Sequence, residues 1–278
     1  FSISDKPGLA PGFAAGFAAN LIGSGFLGGL VGGFLAGYIM KWIKANIKGG
    51  KTLAGFFNFF LYPVIGTFVV GTLMLFVVGK PVALLNTGLT NWLNAMQGTN
   101  AILLGALIGA MVSFDLGGPV NKAAYAFCLG AMGNGNLIPY ATFASVKMVS
   151  AFTTTLVTKL KPKYFLEEER ELGNSTWILG LAGITEGAIP VALNDPFRVL
   201  GSFVAGSMVT GAIVAYFKLG LGVPGAGILS MLFMNWNGAE SSLMGGIVWF
   251  AAALVGTVIS TILLLILKGH KYKKSLGQ

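Results

Sequence analysis

Three groups of polar residues stand where an apolar chain has little reason to keep them. Glu186 lies in Gly183-Ile184-Thr185-Glu186-Gly187-Ala188-Ile189-Pro190, an apolar run with a helix breaker on each side and no basic residue within a turn. A lone carboxylate there must be protonated, or be held by the polar groups of a ligand when they arrive. Asp115 and Lys122 flank Gly117, Gly118 and Pro119. A helix cannot pass smoothly through Gly-Gly-Pro, so the backbone opens and its freed amides and carbonyls face a cavity or a polar ligand. The two charges then either lock the fold as an ion pair or recognise hydroxyl groups. Asn134, Asn136, Asn235, Asn237 and Glu240 sit on short turns beside Gly133, Gly135 and Gly238. Planar amides and carboxylates of this kind bind polyhydroxylated sugars, with Trp236 offering an apolar face, and the same residue types also serve ordinary turns.

The depth of these residues gives them weight. Of 278 residues, 55% are hydrophobic and only 10% are charged, against about 25% charged in a soluble domain. Mean hydropathy is +0.79, and Phe56 to Val78 and Met244 to Leu267 each exceed the roughly 20 apolar residues that cross a bilayer. An ordinary soluble enzyme is excluded, and the fold expected is all-α, a polytopic bundle of membrane helices. Each Asp, Lys or Arg at a helix centre costs roughly 2.5–3.5 kcal/mol on insertion, so Asp115, Lys122, Lys147, Glu186, Asp195, Arg198 and Glu240 need reasons to be there. Asp195 has a structural one: it precedes Pro196 at a helix start, an N-cap with Arg198 a turn away as partner. The single Cys128 is embedded in an apolar run and the single His270 lies in a basic tail, so no disulfide within the chain, metal site or cofactor is expected.

The elements that position these residues follow from charge and hydropathy. Net charge is +9, and the bases gather at Lys41, Lys44, Lys48 and Lys51, at Lys159, Lys161 and Lys163, and at Lys268, Lys271, Lys273 and Lys274. Such loops set topology and face the cytoplasm rather than bind nucleic acid. Crossings are expected at Phe13–Met40, Leu53–Val78, Ile102–Phe114, Val120–Met132, Val146–Thr158, Phe197–Phe217 and Met244–Leu267. Apolar stretches broken by Gly, Pro or Asn, residues 133–144, 176–193 and 222–237, read as re-entrant segments. Residues 159–175 form the one substantial polar loop, a solvated cytoplasmic connector.

Gly accounts for 42 residues, about twice the average share of ~7%. Gly25, Gly29, Gly33 and Gly37 recur every fourth residue beside Ser24, Gly28, Gly32 and Ala36, a ridge that lets another helix approach closely, in the same subunit or another. Two phosphate-loop look-alikes fail: Gly23, Gly25 and Gly28 lack a preceding strand and a later acid, and Gly50-Lys51-Thr52 has Ala45 where glycine is required.

Three runs carry a resemblance: Asp5-Lys6-Pro7-Gly8-Leu9-Ala10-Pro11-Gly12, Phe114 to Tyr125 (FDLGGPVNKAAY) and Gly183 to Pro190 (GITEGAIP). In that order they resemble the fructose-family EIIC membrane subunit of the bacterial phosphoenolpyruvate-dependent sugar phosphotransferase system. The resemblance implies a homodimer in the bacterial cytoplasmic membrane, with lipid around it. Residues 1–100 would be the packing and dimerisation part, and 101–278 the transport part carrying re-entrant hairpins. It also implies group translocation, in which a cytoplasmic EIIB domain phosphorylates the bound sugar. Glu186 would hold the acceptor hydroxyl. Asp115, Asn121 and Lys122 would line the sugar site with Thr185, joined by the turn residues above. Fructose is the first expectation, with another ketose, a hexitol or a mannosyl-glycerate as alternatives; an ion-coupled secondary transporter or a passive channel are the rival classes. Family members carry further membrane segments before the Asp5 match, so an N-terminal portion is expected to precede Phe1, and the phosphoryl carrier must come from elsewhere.

Overall fold

The computed structural model describes residues 3–47, 50, 53–95, 99–225 and 227–275; Lys48 and Lys51 of the first basic cluster lie outside them. The chain is an all-α membrane protein. Four of its described helices are long and apolar enough to cross a bilayer: Gly25–Asn46, Ala54–Gly88, Pro196–Tyr216 and Leu243–Tyr272. The helices fall into two compact units, residues 1–95 and 96–278.

The first unit opens with α1 (Leu9–Leu21) and α2 (Gly25–Asn46), where the sequence predicted one crossing from Phe13 to Met40. The chain turns back at residues 22–24. Gly23 adopts φ 69°, and Ser24 Oγ donates to the Ala19 carbonyl at 3.0 Å, which together end α1. Hydropathy alone could not see this turn, because Gly23 and Ser24 interrupt the apolar pattern too briefly. A continuous helical run over residues 54–95 (α3) follows, interrupted by π-helical turns at Phe57–Leu61 and Met74–Val78. Ala15, Ala18, Ala19, Ala36, Val70 and Met74 form the core where these helices meet. Phe13, Phe17, Phe59, Phe68 and Phe76 are exposed on the outside, as lipid-facing residues should be.

The second unit contains α4 (Thr99–Phe114), α5 (Pro119–Gly133), α6 (Ile138–Leu160), α7 (Glu167–Leu181), α8 (Ile189–Asn194), α9 (Pro196–Tyr216) and α10 (Leu243–Ser275). One end of it collects the charges. Tyr164 and Tyr272 rings pack 5.1 Å apart with Lys163 over both, and Asp195 binds Lys271 at 3.0 Å. This is the end that the positive-inside rule expects to face the cytoplasm.

Neither α4 nor α5 is a full crossing. At 1.5 Å per residue the 16 residues of α4 span about 24 Å, short of the ~30 Å hydrocarbon core. α4 runs antiparallel to α9: the Gly105 backbone meets Gly211, Gly109 meets Ser207, and the Ser113 and Ser207 hydroxyls hydrogen bond at 2.6 Å. Side chains larger than hydrogen would part these helices at both glycine crossings. Because Ser207 lies midway along α9, α4 stops at mid-depth, and α5 returns to the side it came from.

α7 and α8 make a second hairpin from this charged end. Gly173 packs on Thr158 and Gly180 on Ala151 and Phe152, so α7 climbs antiparallel to α6 and stops beside its middle. α8 then returns to Asp195. The two tips, residues 115–118 and 182–188, therefore meet inside the protein from opposite sides, and Leu116 packs in one core with Ala188, Val191, Val199 and Phe203.

The predicted re-entrant segments need adjusting. Residues 176–193 coincide with the turning half of the second hairpin. Residues 133–144 are no segment of their own: they hold a turn at 134–137 and the start of α6, an unbroken 23-residue helix buried along most of its length. Residues 222–237 are irregular, with a 3-10 turn at Ile228–Phe233 and a two-residue pair, β1 (Gly220–Leu221) with β2 (Met234–Asn235), in register Gly220 to Asn235.

Candidate functional site at the hairpin tips

The Phe114-to-Lys122 turn is built around one carboxylate. Asp115 Oδ2 accepts the Val120 amide at 2.7 Å and Oδ1 accepts the Asn121 amide at 3.0 Å, so Asp115 satisfies the free donors at the start of α5. Asn121 closes the turn from the other side, its amide nitrogen donating to the Val112 carbonyl near the end of α4 at 2.7 Å. Leu116 and Gly117 follow each other at positive φ, 48° and 108°. Leucine is rarely tolerated there, and its burial in the shared core is what holds it.

Gly117 is where the tips touch. A Cβ at Gly117 would lie 2.6 Å from Glu186 Oε1, so only a hydrogen atom leaves room for that carboxylate. Glu186 opens a 3-10 turn, Glu186–Ala188, and the one hydrogen bond its carboxylate makes among the described residues is from the Thr185 hydroxyl at 3.4 Å. Thr185 is buried while Glu186 is open to a cavity of about 410 Å³, a size that suits a small molecule.

The cavity's other walls come from α5, α6 and the irregular loop. Asn121, Lys122 and Tyr125 line it from α5; Tyr140, Phe143 and Lys147 line it from α6; Pro224 and Gly225 close it. The three rings pack together, Tyr125 to Phe143 at 5.3 Å and Tyr140 to Phe143 at 6.1 Å. The Tyr140 hydroxyl donates to the Gly225 carbonyl at 3.1 Å, which ties the loop to α6. Lys147 Nζ lies 5.5 Å from the Phe143 ring centroid. The chamber thus offers an aromatic wall, a carboxylate, two ammonium groups and an amide: the means to stack a sugar ring and bind its hydroxyls.

The sequence profile of the family described as "Phosphotransferase system, EIIC" matches residues 3–206. The chain belongs to that EIIC family. It is 63% identical over 273 residues to the 2-O-alpha-mannosyl-D-glycerate-specific EIIABC component of Escherichia coli K12, covering 98% of this chain and 41% of that protein. It is 46% identical to the fructose-specific EIIB'BC component of Vibrio cholerae, covering 94% of this chain and 44% of the relative. With the fructose permease IIC component of Bacillus amyloliquefaciens it shares 35% identity over 78% of this chain and 68% of that one. The chain thus spans less than half the length of the first two relatives. No solved structure matches it.

In this EIIC chain the expected site residues separate into three places. Asn121, Lys122, Thr185 and Glu186 line the cavity together. Asp115 stands behind Gly118 and is spent on backbone amides, neither paired with Lys122 nor open to the chamber. Asn134, Asn136, Asn235, Asn237 and Glu240 do not line it. Asn134 donates to the Gly130 carbonyl at 3.0 Å and Asn136 accepts the Ile138 amide at 3.3 Å, turn work between α5 and α6. Asn235 lies in the strand pair, and Asn237 and Glu240 are exposed on the following turn, where Trp236 donates to the Phe217 carbonyl at 2.9 Å.

Tyr125, Tyr140, Phe143, Pro224 and Gly225 line the cavity without being among the residues expected from the sequence, and so does Lys147, which its depth alone marks there. A signal existed: Tyr140, Phe143 and Lys147 at i, i+3 and i+7 share a helix face, as do Asn121 and Tyr125 at i and i+4.

Proposed function

We propose that this chain is the sugar-translocating part of a bacterial phosphotransferase system, that the cavity between the hairpin tips holds the sugar, and that Glu186 manages the acceptor hydroxyl. The observation that carries the reading is the free state of that carboxylate. Asp115 is consumed by two backbone amides, whereas Glu186 faces an open chamber with one long hydrogen bond, at 3.4 Å. In the transfer, the sugar oxygen forms a bond to phosphorus as phosphorus leaves its carrier side chain on EIIB. Glu186 takes the hydroxyl proton, or orients the oxygen in line, and the proton passes on to solvent. Several relatives are named as fused EIIB and EIIC components, which supports an EIIB partner in trans or on the same polypeptide.

Identity supports a particular substrate. The relative at 63% is named for 2-O-alpha-mannosyl-D-glycerate, whereas the fructose-specific components of Vibrio cholerae and Xanthomonas campestris stand at 46%, so the mannosyl-glycerate replaces fructose as the substrate we propose. Alternating access would carry it inward, with the meeting tips as the barrier that both hairpins contribute. The first unit would serve subunit packing: Gly28 and Gly32 pack on α1 within the unit, while Gly29 and Gly33 meet nothing within 4 Å and are open to a second copy in a homodimer.

Membrane vesicles holding the full chain test this. With a phosphorylated EIIB partner they should accumulate mannosyl-glycerate as its phosphate, whereas accumulation of free sugar under an ion gradient without EIIB would overturn the reading.

A further inference from the structure

We infer that Lys147 is the residue by which this cavity selects an acidic sugar: its ammonium pairs with the carboxylate of the substrate and discriminates against neutral sugars. The inference rests on the cavity being the sugar site.

The charge count in the chamber points to it. Its charged liners are Lys122, Lys147 and Glu186, two positive charges against one negative. Asp115 does not line the chamber and is not among the charges that act on Lys147; its oxygens face the α5 amides. Asp195 is held by Arg198, Lys268 and Lys271 at the charged end. Lys147 makes no ion pair among the described residues, and the charges that act on it are those of Glu186 and Lys122. It stands in the middle of α6, too far from either helix end for its ammonium to reach the membrane surface. A surplus ammonium at that depth is kept at a cost, and an anionic ligand is what removes the cost.

Placement agrees with charge. Lys147 lies one turn beyond Phe143 and two beyond Tyr140 on the same face of α6. A sugar ring against the Tyr125, Tyr140 and Phe143 wall, with its acceptor hydroxyl toward Glu186, then has room to carry an acidic substituent toward Lys147. Fructose has no such group.

Calorimetric titration of the purified full chain with 2-O-α-mannosyl-D-glycerate and with its neutral glyceramide analogue tests the inference. The wild type should prefer the acid by about tenfold to a hundredfold, the range of a charge-assisted hydrogen bond. Lys147→Met should abolish that preference, losing far more affinity for the acid than for the amide, and the amide binding that remains shows that the variant is folded; Lys147→Arg should keep the preference. A preference that survives in Lys147→Met overturns this inference alone. So does a wild type that binds amide and acid equally, a comparison that needs no variant to fold. Had Lys147 served the transferred phosphoryl group instead, Lys147→Met would bind the acid normally and lose phosphorylation, which equally overturns the inference. Binding of fructose with no response to either glycerate ligand overturns the substrate reading itself, and this inference with it.

Discussion

Asp115 and Glu186 are the carboxylates of the two hairpin tips, on opposite sides of a Gly-Gly pair. A Cβ on Gly118 would meet Asp115 Oδ2 at 2.6 Å and one on Gly117 would meet Glu186 Oε1 at 2.6 Å, so each acid occupies the space that a glycine leaves. Their surroundings separate them. Asp115 closes the start of a 15-residue helix and builds the first tip. Glu186 begins a three-residue turn that gives it no backbone amide to bind, so it stays available to whatever enters the chamber. Two acids of the same charge, equally unusual in a membrane chain, thus differ in role because one has a helix N-terminus beside it and the other does not.

Substitution at Glu186 should show the largest effect. Glu186→Gln keeps shape and loses basicity, and phosphorylation of bound sugar by EIIB should fall about a hundredfold or more while sugar affinity changes little. Near-normal turnover in folded Glu186→Gln protein would erase the distinction between the two acids. Gly117→Ala should come next, because it places a methyl group against Glu186 and puts alanine at φ 108°. We expect a loss of about 1–3 kcal/mol in stability along with reduced phosphorylation, measured by thermal unfolding in detergent and by sugar phosphate formation. Should turnover survive there, the tips do not need their close contact.

Asp115→Asn sharpens the comparison in the opposite sense. It leaves one acceptor where there were two and removes the charge at the start of α5, so unfolding should be easier by about 1 kcal/mol, with the sugar affinity of the folded protein retained. A folded Asp115→Asn protein that binds sugar an order of magnitude more weakly would return Asp115 to the proposed sugar site.

Asp195 offers a third kind of carboxylate, spent on cations. Burial alone would raise its pKa, but hydrogen bonds from Lys271 and Arg198 and the charge of Lys268 outweigh that and hold it below the usual 3.8. A lowered folded-state pKa means that the stabilisation is complete above about pH 4 and is lost as pH falls through the folded value. Asp195→Asn should therefore lower the unfolding temperature at pH 7, by about 1 kcal/mol of stability since two of its partners are half in water, and the difference from wild type should close below about pH 4. The smallest effect is expected at Glu240, exposed on its turn. Glu240→Gln should change sugar affinity about twofold or less in a binding titration.

The amino-acid sequence by itself determined the class of this protein and the depth of its polar groups. Length, hydropathy and the three lysine clusters are properties of composition along the chain, and they place α9, α10 and the basic end without reference to any contact. The breakers around Glu186 and between Asp115 and Lys122 likewise reveal that the chain must bend there, since Gly and Pro act locally on φ and on the helix ladder. What only the tertiary structure decided is which polar group is left over. Asp115 and Glu186 read alike in the sequence, and so do Asn121 and Asn134, because a residue type does not state how many hydrogen bonds its neighbours will take from it. That count depends on α4 stopping at mid-depth against Ser207 and on α7 stopping against the middle of α6, both set by glycine contacts between segments about a hundred and about thirty residues apart. The aromatic wall of Tyr125, Tyr140 and Phe143 was hidden for the same reason: apolar rings are ordinary in a membrane helix, and they become a cavity wall only where two hairpin tips hold a chamber open beside them.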